Sequence, residues 1–305
     1  MLFLPFVFAA ASLATADLFD VNKKPPVPGL PFPESYFTKT VASIQNTYCT
    51  PEDNKPGIKI NDQTLLYSFG NGGLKPRANI YHSESLGLIL AYEGSNGSSI
   101  YSSLRNDEFI QVDPNEELGL PDGAKVDAGF QQAWEGTWKD VKNALREAKG
   151  SYSNSSLIVT GHSQGAAQAS LGAVAVNKEF GNATVDKVIL FGPPRVGNKV
   201  YADFVDETYG DKYAGVVNGK DWVPTVPPAS FGYQQPSTLV WINPANSTEW
   251  STYPGQENAN GPLSHIPKFF YNDSLTLDYD DHQGIYMHSS MGTEQGPCPA
   301  KVGGF

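Results

Sequence analysis

Apolar positions along the chain follow two periodicities. Phe37, Val41, Ile44 and Tyr48 recur at helical spacing and predict a helix that ends at Cys49. Phe130, Trp134, Trp138, Val141, Leu145 and Ala148 predict a second, longer helix by the same rule, so both tryptophans belong to a core-facing stripe. Short apolar, β-branched runs at 78–81, 86–92, 156–160, 187–191, 215–218 and 238–242 predict strands. Several of these runs are apolar on both faces, which implies a sheet buried from both sides. The strand-helix-strand order over 156–191 predicts a right-handed crossover, and hence an α/β fold whose central sheet is predominantly parallel and flanked by helices.

Within that crossover lies the candidate chemistry. A strand signal at 156–160 runs into the tight turn Gly161-His162-Ser163-Gln164-Gly165, and an alanine-rich helix signal follows over 166–178. This is the context of a nucleophile elbow, in which small residues around the serine let strand and helix cross closely and leave its hydroxyl exposed to substrate. A serine hydroxyl is too weak an acid to attack a carbonyl unaided. It needs a histidine to take its proton and a carboxylate to orient that histidine.

The chain has five histidines. His162 adjoins the serine on the opposite side of the turn and reads as scaffold, and His82 precedes the nucleophile, against the Ser, Asp, His order of this fold. His265, His282 and His288 stay open on these grounds alone. Asp221, directly after the strand at 215–218, stands where α/β proteins place functional loops.

Composition then sets the compartment and excludes partners. The first sixteen residues are apolar and end on Ala14-Thr15-Ala16, which predicts a signal peptide over 1–16, too short to be a comfortable membrane span. Residues 17–33, with the proline-rich run from Lys23 to Pro33, read as a leader or pro-segment, and 34–305 as a single catalytic domain. In an exported chain the only two cysteines, Cys49 and Cys298, are expected to pair. Sequons at Asn96, Asn154, Asn182, Asn246 and Asn272 are candidate glycosylation sites. A net charge of -11 opposes binding to nucleic acid or anionic membranes.

Six segments in order resemble the class 3 lipases of fungi, a family that also includes feruloyl esterases. They are Ala91-Tyr92-Glu93-Gly94-Ser95, Val126-Asp127-Ala128-Gly129-Phe130, the turn at 161–165, the stretch from Phe191 to Asn198, the stretch from Asn218 to Pro224 with Pro227-Pro228, and Asp281-His282-Gln283-Gly284-Ile285-Tyr286. The resemblance covers most of the mature chain. It implies an α/β-hydrolase with a short lid helix and a catalytic triad of Ser163, Asp221 and His282.

It also places the oxyanion hole at Ser95 and Gln164, whose backbone N–H groups would stabilise the charge that develops on the carbonyl oxygen. Gln164 stands where relatives often have leucine, and Glu93 where many have arginine, so any salt bridge made by that arginine must be absent or rebuilt. The lid falls on 96–106, mostly serine with one narrow apolar edge, and implies modest activation at oil-water interfaces and transient contact with them.

The expected activity is therefore secreted carboxylic-ester hydrolysis through an acyl-enzyme, with an acylglycerol substrate and triacylglycerol lipase as the leading reading. The alternatives are a feruloyl or other plant-polymer esterase, and an inactive secreted binding protein on the same scaffold. No cofactor or metal is implied, because no Cys/His cluster has zinc-ligand spacing and Asp278, Asp280 and Asp281 read as an acidic loop. No integral membrane segment is expected, and the chain is expected to be a monomer.

Overall fold

The computed structural model describes residues 22–72, 75–95, 109–266, 279–292 and 296–302. The expected signal peptide, the expected lid at 96–106 and the sequons at Asn96 and Asn272 lie outside the described residues. Its main sheet has ten strands, numbered in chain order: β1 (Val27–Pro28), β2 (Lys59–Ile60), β3 (Gln63–Phe69), β4 (Ala78–Ser83), β5 (Gly87–Tyr92), β6 (Leu157–His162), β7 (Val185–Phe191), β8 (Tyr213–Asn218), β9 (Leu239–Ile242) and β10 (Trp250–Tyr253). Their spatial order is β1-β10-β9-β8-β7-β6-β5-β4-β3-β2. The five central strands, β5 to β9, run parallel, and the pairs at both margins are antiparallel.

All six expected strands are present, with ends shifted by up to two residues. The four that sequence reading missed, β1, β2, β3 and β10, lie toward the margins, where one face meets solvent and the apolar run that marks a buried strand is lost. β1 falls inside the proline-rich run from Lys23 to Pro33. Proline there is tolerated because β1 is an edge strand with a single partner, β10.

Among the described residues four long helices cover the sheet: α1 (Glu34–Thr47), α2 (Ala128–Ser151), α3 (Gln164–Phe180) and α4 (Lys199–Tyr209). Strand residues alternate between two cores. Leu88, Leu90, Leu157, Val159, Val188 and Leu190 share one cluster with Trp134 and Trp138 of α2 and with the alanines of α3. Ile89, Ala91, Ile158, Ile189 and Phe191 share the other with Phe37, Val41 and Ile44 of α1. This two-sided burial is the reason the central strands read as continuous apolar runs. Asp127 caps α2 by accepting from the backbone N–H groups of Gly129 and Phe130, and Asn198 caps α4 by accepting from that of Tyr201.

Cys49, just past the end of α1, is bonded to Cys298, 249 residues on. Closing so long a loop is worth on the order of 5 kcal/mol in the chain-entropy limit and typically 2–4 kcal/mol in practice. Replacing both cysteines by alanine is therefore expected to lower Tm by roughly 5–10 °C, read by scanning calorimetry, with the fold retained.

Candidate active site

Ser163 sits between β6 and α3 with φ of 58° and ψ of -129°, a left-handed backbone that a non-glycine residue adopts only when its surroundings enforce it. The enforcing contacts are those of the crossing. A Cβ on Gly161 would lie 2.2 Å from the Gly165 carbonyl oxygen, and one on Gly165 would lie 2.5 Å from those of Tyr92 and Glu93. Side chains at these two positions would push the helix off the strand. The Ser163 N–H donates to the Phe191 carbonyl at 2.9 Å, which ties the turn to the end of β7. Its Oγ is buried and has no hydrogen-bond partner among the described residues.

Asp221 follows β8 in a turn closed by its own N–H to the Asn218 carbonyl at 2.9 Å. The carboxylate is fully buried, and burial of a charge requires donors. It has three: His282 Nδ1 lies 2.9 Å from both oxygens, the Val223 N–H donates to Oδ1 at 2.9 Å, and the Tyr286 hydroxyl donates to Oδ2 at 3.2 Å. Burial and the neighbouring Asp221 charge hold the Tyr286 phenol well above its ordinary pKa, so it remains a donor. With Nδ1–H engaged by Asp221, the basic nitrogen of His282 is Nε2.

Ser163 is brought to this pair through Gly192, the residue after Phe191. A Cβ placed on Gly192 would lie 2.8 Å from both Asp221 Oδ2 and His282 Cε1, so the residue next to the serine's backbone partner Phe191 packs against the Asp–His pair. The two other candidate bases have different partners. His265 Nδ1 bonds the Gly261 carbonyl at 2.9 Å, and His288 pairs with Glu34 at 2.8 Å in an exposed position.

The two candidate oxyanion residues also meet. Ser95 Oγ donates to Gln164 Oε1 at 2.5 Å, so the glutamine side chain fixes the loop after β5 to the first turn of α3. Amides in that first turn lack intrahelical acceptors and point toward incoming negative charge. Beneath them Glu93 is buried with Arg77: the carboxylate accepts from the Arg77 backbone N–H at 2.7 Å and lies 3.7 Å from its guanidinium. Glu93, standing where many relatives have arginine, is thus paired with a cation supplied from the residue before β4.

Several supporting residues carried no role in the sequence reading. Asp281, expected in a plain acidic loop, is buried, and its Oδ2 accepts from the Lys220 N–H at 2.6 Å. The Asn218 carboxamide donates to the Asp281 carbonyl at 2.9 Å, so the turns bearing Asp221 and His282 are laced together. Arg195 grips Glu257 through Nε at 2.7 Å and Nη2 at 2.8 Å, and its Nη1 donates to the carbonyls of Thr225 and Pro227, bracing the chain just after Asp221. Tyr286 and Arg195 both stand in the motif segments, which was the one signal that pointed to them.

Among the described residues no group of three or more His, Cys, Asp or Glu has metal-site geometry, and no helix is long and apolar enough to cross a membrane.

The family profile described as lipase (class 3) matches residues 89–231. The chain is 53% identical over 298 residues to the secreted mono- and diacylglycerol lipase 3 of Gibberella zeae, covering 97% of this chain and 93% of that one. It is 43% identical over 278 residues to a secreted mono- and diacylglycerol lipase of Malassezia globosa, covering 90% and 88%. Among solved structures, lipase II from Rhizopus niveus superimposes with a TM-score of 0.73 at 24% identity, over 88% of this chain and 99% of that one, a likeness of fold.

Proposed function

From the premise that the chain belongs to the class 3 lipase family and is a secreted serine ester hydrolase, we propose that Ser163, His282 and Asp221 carry the hydrolysis of mono- and diacylglycerols. The observation that carries the site is the buried Asp221–His282 pair at 2.9 Å, linked through the end of β7 to a strained serine whose hydroxyl has no partner among the described residues. The substrate class rests on the names of the relatives at 53% and 43% identity.

The reaction runs in two halves. Ser163 Oγ attacks the ester carbonyl while His282 Nε2 takes its proton, and Asp221 holds the resulting imidazolium in place. Negative charge on the carbonyl oxygen is met by the backbone N–H groups of Ser95 and Gln164. His282 then passes its proton to the departing glycerol oxygen, leaving an acyl-serine. Water, deprotonated by His282, attacks that ester in turn, and the proton returns to Ser163 as the fatty acid leaves.

The test is a panel of emulsified mono-, di- and trioleoylglycerol together with methyl ferulate. The mono- and diester are expected to turn over at least about tenfold faster than the triester, with methyl ferulate hardly cleaved. Equal rates on the triester would establish triacylglycerol lipase instead, and preference for methyl ferulate would establish the plant-polymer esterase.

A further inference from the structure

The triad uses the ring nitrogens of His282, while a face of the ring is stacked on a second histidine. The rings of His162 and His282 lie 4.5 Å apart, 29° from parallel, and both are buried. His162 Nε2 is 2.9 Å from the His282 carbonyl oxygen, and His162 Nδ1 is 2.8 Å from the Tyr48 hydroxyl. The same hydroxyl receives the Gly94 N–H at 3.0 Å. Gly94 immediately precedes Ser95, so a continuous chain of hydrogen bonds leads from the oxyanion loop, through the last turn of α1, to the backbone of the base.

Proton placement along this chain has one solution that matches each donor with an acceptor. A carbonyl oxygen only accepts, so His162 Nε2 carries the hydrogen. A neutral imidazole has a single N–H, so Nδ1 accepts, and the Tyr48 hydroxyl donates to it while its oxygen receives the Gly94 N–H. Burial pushes the His162 pKa well below 6.5, and the adjacent His282 pushes it further. Neutrality matters because His282 becomes cationic in each half-reaction, and a second cation stacked at 4.5 Å would oppose that charge. Among the described residues, titratable groups facing the ring pair include Tyr48 just past α1, Tyr286 from the segment after His282, and Asp221 from the turn after β8.

We propose that Tyr48 and His162 form a positioning relay that sets the oxyanion loop and His282 in register, so that the oxyanion donors and the proton acceptor are placed together across the substrate. The reason to link them is geometric. The loop after β5 and the short helix Tyr279–His282 come from opposite ends of the chain and are not adjacent strands, so no ladder of backbone bonds aligns them. Each link passes through a side chain that is at least nine-tenths buried and therefore held in one rotamer. The inference rests on the triad reading above.

The test is a double-mutant cycle on soluble p-nitrophenyl butyrate, with melting temperature followed alongside. Tyr48→Phe is expected to lower kcat about tenfold and His162→Phe about thirtyfold, with KM unchanged, since an interaction that orders only the transition state acts on kcat. The double variant should be no worse than His162→Phe, because both changes break one chain. His162→Gln, which keeps an N–H near the His282 carbonyl, should recover most of the loss.

Nitrogen-15 NMR of the histidine rings should show one neutral imidazole, protonated at Nε2, throughout pH 5–8. Multiplicative losses in the double variant, losses that follow melting temperature alone, or a cationic or Nδ1-protonated His162 would each overturn the relay. Failure of the triad reading looks different: Ser163→Ala would then still hydrolyse ester.

Discussion

Replacing Ser163 by alanine is expected to reduce ester hydrolysis by at least about 10⁴-fold and to abolish covalent labelling by a fluorophosphonate probe, with melting temperature essentially unchanged. Ser163 Oγ makes no hydrogen bond among the described residues, so its removal orphans no partner and removes no strut there. What disappears is the only atom at the elbow that can form the acyl bond. Residual activity would reflect binding and the oxyanion donors acting on water. The same measurement decides the inactive-scaffold reading, because a protein that had kept only the fold would not be labelled before the substitution either.

The second large effect is expected at Asp221. Changing it to asparagine keeps the shape and leaves an acceptor oxygen for the Val223 N–H or the Tyr286 hydroxyl, but it presents an amide donor to a histidine that needs an acceptor at Nδ1. His282 then favours the tautomer with its hydrogen on Nε2, directed at the serine it should deprotonate. A loss of about 10⁴-fold in kcat is expected at neutral pH, with smaller change in KM. Fluorophosphonate labelling should slow in proportion, since it uses the same activated hydroxyl. An Asp221→Asn enzyme within tenfold of wild type would show that another group orients the base.

These effects converge on a site that was legible in unequal parts. The elbow was readable because everything it needs is consecutive: an apolar strand, two glycines that permit the crossing, and a helix of small residues. Asp221 was readable as a residue just beyond a buried strand. The base was not. His265, His282 and His288 are separated from the serine by more than a hundred residues, and nothing in periodicity distinguishes them; family resemblance singled out His282, and the fold places it on Asp221.

Secondary structure was most visible where burial was most complete. The five parallel strands and the helices α1, α2 and α3 have uninterrupted apolar stripes, whereas β3 and β10 carry Thr, Tyr, Ser and Trp on half-exposed faces and read as loop.

What the sequence determined by itself was local: the segments whose apolar stripes are unbroken, a serine in the setting of a nucleophile elbow, and two cysteines expected to pair in an exported chain. Tertiary structure decided the pairings. Tyr48 looked like one more apolar position on a helical face, and only the approach of α1 to the end of β6 turns its hydroxyl toward His162, 114 residues away. Glu93 looked like a departure from the family until the antiparallel pairing of β4 and β5 brought Arg77 beside it. The physical reason is common to both. Periodicity encodes which face of an element is buried, because burial acts on each residue separately, but a polar partner is chosen by geometry between elements.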